Sequence, residues 1–192
     1  MKKLISLTLS AALCLGLFAG CGKKNAPAAT ETTAPAYASS LEVLEKVWAT
    51  FPEEDRFPAA GGDEAHDTTD GPGAFDINAY GESFRYQTLV DENLTGKLTG
   101  DAATLIHMMN TNTFCSAVME LKNAGEASSF AEIYKEIVQG NHWMCGFPDT
   151  LVVLSLGNFV LTAYGADDLI QLFKSGAQSL GATLLVEAPA EA

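Results

Sequence analysis

The sequence predicts an α+β fold, a two-layer sandwich with helices on one face of an antiparallel sheet. Two strand–turn–strand patterns occur, over 104–121 and 150–165. Each is followed by a helical pattern with one apolar stripe. Two hairpins and two helices bury their apolar faces when both helices lie on one side of the sheet. The order strand–turn–strand–helix thus occurs twice, which suggests a doubled unit although the halves share little identity.

Residues 1–20 read as a lipoprotein signal peptide. Lys2 and Lys3 lead an uncharged, mostly apolar run, LISLTLSAALCLGLFAG, too short and too early for an ordinary spanning helix. It ends Leu17-Phe18-Ala19-Gly20-Cys21. Small residues directly before a Cys resemble the lipobox of bacterial lipoproteins, with Phe18 where Leu is commonest. That resemblance implies cleavage before Cys21, an acyl chain such as palmitate on its thiol, and a protein anchored at the outer face of the cytoplasmic membrane. Residues 21–38 are rich in Ala, Thr and Pro and nearly lack large apolar side chains, so they read as a disordered tether. The acyl chains, not the domain, then supply the membrane attachment.

Residues 39–188 remain as a single domain, long enough for a core, followed by a short tail, 189–192. The run SLEVLEKVWATF (40–51) has helical spacing, with Ser39 and Glu42 as a capping box and Pro52 as the stop. An acidic loop follows at 52–76. The run SFRYQTLV (83–90) fits either a strand or a bent helix. TLIHMMN (104–110) and TFCSAVMEL (113–121) form the first hairpin, with Met108 and Met109 in the core and His107 a hydrogen-bonded strand residue. Ser129 and Glu132 form a second capping box before the stripe Phe130, Ile133, Tyr134, Ile137, Val138, and Gly140 stops that helix at C′. TLVVLS (150–155) and FVLTAYG (159–165) form the second hairpin. Asp167 or Asp168 caps a helix running to Gly176, and ATLLVEA (182–188) adds a closing strand.

The chain carries 11 Lys and Arg against 24 Asp and Glu, a net charge of −13. Such a charge repels nucleic acid and anionic lipid head groups, and no basic patch argues otherwise. A cationic partner, or solubility outside the cell, fits it better.

The sequence contains no Gly-x-Ser-x-Gly, no His-Glu-x-x-His, no Cys-x-x-Cys and no phosphate-cradling glycine loop. No catalytic residue is assigned, and no specific reason to propose an enzyme remains. Three features are candidates for function. Cys115 and Cys145 either pair outside the cell or stay as two buried thiols. In NHWMCGF (141–147), Trp143 and Phe147 with His142 suit an exposed binding patch. The competing reading makes Trp143, Met144 and Phe147 a plug at the sheet edge, and a third pairs His142 with Cys145 as base and thiol. In GGDEAHDTTDGPGAFD (61–76), Asp63, Asp67, Asp70 and Asp76, with Glu64, offer oxygens for calcium while the glycines let the loop wrap. The spacing is not that of an EF-hand, so a solvated loop or a contact surface for a basic partner stands beside the metal reading. No other cofactor is expected.

The runs MMNTNTFCSAVMELKN and GNHWMCGFPDTLVVLSLGNFVLTAYGADDLIQLFKSG, together with the lipobox, resemble uncharacterised lipoproteins of Gram-positive gut anaerobes that carry a domain of unknown function. The resemblance spans about residues 84 to 180 and implies location and fold, with no catalytic residues to carry over. The sequence therefore points to a lipid-anchored, non-catalytic domain that binds a protein, peptide or small ligand. The alternative is a calcium- or small-ligand-binding accessory lipoprotein.

Overall fold

The computed structural model describes residues 37–191. The signal peptide, Cys21 and nearly all of the tether lie outside the described residues. Within them, the order is α1 (Ser40–Trp48), β1 (Ala59–Gly61), β2 (Thr68–Thr69), β3 (Gly73–Asp76), α2 (Ile77–Thr88), α3 (Glu92–Thr95), β4 (Leu98–His107), β5 (Phe114–Leu121), α4 (Ala127–Gln139), β6 (Thr150–Leu156), β7 (Phe159–Gly165), α5 (Asp167–Ser179) and β8 (Thr183–Pro189). The strands form one antiparallel sheet in the order β2-β1-β4-β5-β7-β6-β8. β1 and β3 share the remaining edge of β4 end to end, at Ile106–His107 and Asp101–Thr104. The fold is the expected α+β sandwich on an antiparallel sheet.

The helices, however, cover both faces of that sheet rather than one. Alternate residues of each central strand enter two separate cores. Cys115, Met119, Leu151, Val153, Val160 and Tyr164 meet Phe84 of α2, Leu94 of α3 and Phe130, Tyr134 and Val138 of α4. Phe114, Val118, Val152, Leu154, Leu161 and Ala163 meet Val43, Leu44 and Val47 of α1 and Ile170, Phe173 and Ala177 of α5. The physical reason lies in the strands. β6 and β7 are apolar at nearly every position, so neither face can be left to water. Each large apolar side chain so buried is worth about 1.5–3 kcal/mol. The repeated order strand–turn–strand–helix is present, but α4 and α5 lie on opposite faces. A rotation that exchanged the hairpins about the sheet normal would not exchange the helices.

Local signals explain most element ends. Ser39 Oγ accepts from the Glu42 N–H at 3.2 Å, while Glu42 Oε2 accepts from Ala38 N–H at 2.8 Å, one residue earlier than a standard capping box. The ambiguous run 83–90 belongs largely to helix α2. Asp76 caps that helix, its Oδ1 accepting from Asn78 and Ala79 N–H, and a break at Tyr80 bends it. Helix α4 begins at Ala127, before the expected Ser129 cap, because Asn123 accepts from Gly125 N–H and a single 3-10 turn leads in. Gly140 ends it with an ordinary right-handed φ of −83°, not in the left-handed C′ conformation.

The strands define two poles. At one, β4 ends, β5 and β6 begin, β7 ends and α5 starts. Phe114 and Thr150 there both pair with Gly165. The chain joins the domain at the other pole. Ser40 N–H donates to Asp101 Oδ2 at 2.7 Å and Ser40 Oγ to Asp101 O at 3.2 Å, near the start of β4. Tyr37 Oη lies 3.5 Å from Leu180 O, just past the end of α5.

Candidate functional site

In the acidic stretch 61–76 the carboxylates serve different ends. Asp63 is buried. Its Oδ1 accepts from Ala65 N–H (2.9 Å), His66 N–H (3.0 Å) and His66 Nδ1 (2.8 Å), and its Oδ2 accepts from Asp76 N–H (2.8 Å). An ionised carboxylate has about four acceptor sites, so these donors fill it. Burial raises the Asp63 pKa, but the hydrogen bonds from Asp76, His66 and Ala65 outweigh it and hold the group below its ordinary value. Asp76 caps α2, and Asp70, at φ 66°, gives its N–H to Ala59 O at 2.8 Å. Among the described residues, no three His, Cys, Asp or Glu side chains converge as a metal site. Asp63, Asp67, Asp70 and Asp76 are thus not gathered into the cluster the calcium reading expects, and the best-buried of them is engaged by three backbone N–H groups and His66. The glycines serve close packing instead. A Cβ on Gly73 would sit 2.5 Å from the Gly61 backbone, where β1 and β3 meet end to end.

The two domain cysteines do not pair. Cys115 lies in the core beneath the end of α2, where its thiol donates to Gln87 O at 3.1 Å. Tyr164 Oη donates to the same carbonyl at 3.1 Å, and Tyr134 Oη to Thr88 O at 3.0 Å. These donors satisfy carbonyls that a helix end leaves open. Burial pushes the Cys115 thiol up to about 12, only partly opposed by its hydrogen bond with Tyr164. Cys145 sits exposed in the loop between α4 and β6, at φ 63°. Neither alternative read from the sequence holds, a disulfide or two buried thiols, because one thiol faces the core and the other faces solvent. His142 is exposed, and no hydrogen bond joins it to Cys145 among the described residues.

The loop carrying NHWMCGF lies at the pole where β4 ends. Of the three side chains expected as a plug, only Trp143 acts as one. It is half-buried, with its ring 5.2 Å from that of Tyr164. Met144 is 78% exposed and Phe147 68%. Met108 and Met109, expected in the core, are also on the surface, Met109 at 78%. Strand β4 stops at His107, short of the predicted residue 110, so the pair falls in the hairpin turn. His107 is a bonded strand residue, as expected: its Nδ1 accepts from Met109 N–H at 3.2 Å and its ring stacks on Phe57 at 5.2 Å.

Two asparagines tie the loops together. Asn110 Nδ2 donates to Cys145 O (3.1 Å), and Asn112 Nδ2 donates to Met144 O (3.2 Å) and Gly146 O (3.0 Å). Between them runs a cleft of about 440 Å³ lined by Tyr86, Leu89, Asn112, Asn141, His142, Trp143, Met144 and Tyr164, among others. Trp143 lines it, and its buried Nε1 has no hydrogen-bond partner among the described residues. Of the patch residues named from sequence, His142 and Trp143 line this cleft, and Phe147 stands exposed on the same loop just past Gly146. Tyr86 lines the cleft, and Met108 and Met109 stand exposed beside Asn110 and Asn112, which tie their turn to this loop; sequence reasoning missed all three. The adjacent MM before an Asn-Thr-Asn turn was the available signal for the methionines; nothing local signalled Tyr86.

A larger groove, about 530 Å³, separates α2 from α3 and is lined by Asn78, Glu82, Arg85, Asp91 and Glu92 among others. Asp91 caps α3, accepting from Asn93 and Leu94, and Arg85 stands over the Tyr86 ring. No helix of the described residues is long and apolar enough to cross a membrane. No family model matches the chain, and no curated protein or solved structure is significantly similar to it.

Proposed function

We propose that this protein is a lipid-anchored, extracytoplasmic interaction domain without catalysis of its own, held to the membrane through Cys21. The observation that carries the reading is the exposed apolar surface of Met109, Met144 and Phe147. It is built from two loops that asparagine side chains lock together. Large apolar groups held in place at the surface cost solubility and are the usual mark of a contact site. A second reading, a small ligand in the cleft beneath, is favoured by the unpartnered Nε1–H of Trp143.

Site-specific photo-crosslinking on cells displaying the full chain tests the first reading. A photoreactive residue in place of Phe147 is expected to give discrete adducts, and one in place of Lys122, at the opposite pole, is not. Silence at 147, or the same adducts at both positions, would refute it. In the same cells, incorporation of a clickable palmitate analogue is expected to vanish in Cys21→Ala.

A further inference from the structure

We infer that the methionine-bearing pole docks a cationic, amphipathic peptide segment, with apolar side chains on Met109, Met144 and Phe147 and basic ones on the surrounding carboxylates. This rests on the interaction reading above and adds the chemistry of the partner.

The same pole collects acids. Asp149 lies two residues beyond Phe147, and its Oδ2 accepts from Asp167 N–H at 3.2 Å, which brings Asp167 and Asp168 beside it. The exposed turn Glu53–Asp55 adds three more, next to Phe57 and Pro58. Pro58 O accepts from Met108 N–H at 2.9 Å. None of these six carboxylates is in an ion pair among the described residues, though Asp167 Oδ1 accepts from Thr150 Oγ1 at 2.8 Å and Gln171 Nε2 at 3.2 Å. The pairs that exist use Glu42, Asp63, Glu126, Glu132 and Glu187 instead. The nearby arginines face aromatic rings: Arg56 stands 5.4 Å over Trp48, and Arg85 stands 4.9 Å over Tyr86. Unpaired acids beside exposed apolar groups, in a chain of net charge −13, ask for a partner with the opposite charge and its own apolar side.

Methionine suits such a surface. Its unbranched, polarizable side chain adapts to the shape it meets, while the asparagine ties keep the backbone fixed. A membrane is the less fitting occupant, because its anionic head groups would meet the six carboxylates.

Fluorescence anisotropy of a labelled Lys–Leu amphipathic helical peptide tests this with the full-chain protein in non-ionic detergent. Two comparators have Gln or Glu in place of every Lys. The cationic peptide is expected to bind about tenfold or more tighter than the Gln peptide, with affinity falling as salt rises. The triple variant M109S/M144S/F147S is expected to lose about tenfold, with an unchanged melting curve as the control for folding. Equal binding of the Gln peptide would overturn the charge assignment while leaving the interaction pole intact. Unchanged binding by the triple variant would show attraction by net charge alone and would overturn the docking site itself. Binding to phosphatidylcholine vesicles through Met144 and Phe147, without peptide binding, would give the surface to lipid and overturn the inference.

Discussion

Asp63 shows how one side chain organises a segment that reads as loop. Its four hydrogen bonds fix both the turn at 65–66 and the start of α2. In Asp63→Asn one acceptor oxygen becomes a donor facing N–H groups, and the expected cost is about 1–3 kcal/mol at neutral pH. The pH dependence follows from the direction of the shift. A carboxyl held below its ordinary value stabilises the fold above the unfolded pKa of about 3.9, and that contribution fades as pH falls through the folded value. Urea denaturation of the two proteins should therefore diverge at pH 7 and converge as the pH drops below 3.9. A constant difference across that range would remove the carboxylate charge as the cause. The role of Asp63 was not legible in the sequence, because its decisive donor, Asp76 N–H, arrives only through the pairing of β3 with β4. The Asp-rich composition suggested a metal, while the geometry depends on backbone N–H groups that composition does not record.

At the level of elements, the second hairpin was the most legible part of the chain. FVLTAYG is β7 to the residue, and TLVVLS is β6 less its last position. The same runs also held the sign that both faces are buried, since neither alternates apolar with polar. Val153 belongs to the core under α2 and α4, and Leu154 to the core under α1 and α5. Leu154→Ala is expected to cost about 2–5 kcal/mol and Val153→Ala more than about 1 kcal/mol in denaturant unfolding. A helix layer on one face only would make one of the two changes nearly silent. Helix α2 was less legible for a local reason. Its cap is the last residue of a strand, it breaks at Tyr80, and it contains Gly81, so its apolar stripe never runs long enough to register. The surface proposed for interaction was half legible. Trp143 and Phe147 were visible as aromatics in a polar loop, but the place where β4 ends decides whether Met108 and Met109 face core or water.

For the whole molecule, charge and packing act separately. The two cores hold the sheet from either side, while the excess of carboxylates lies on the surface and repels itself. Divalent cations should therefore act by screening, not by filling a site. Millimolar calcium and magnesium are expected to move the melting temperature of the full chain alike, and a chelator to leave the metal-free melt unchanged. A rise specific to calcium would mean a site that the carboxylates of 61–76 do not form here. Finally, Ser40 meets the domain near the start of β4 and the methionine-bearing turn lies past its end, so a pull on a partner docked there as proposed would load the molecule along its strands. The hydrogen bonds of β4, β5, β7 and β6 would bear that load together, in shear, rather than parting one after another like a zip. If the proposed anchor and the proposed partner act at these opposite ends, the sheet is the element that would carry force between them.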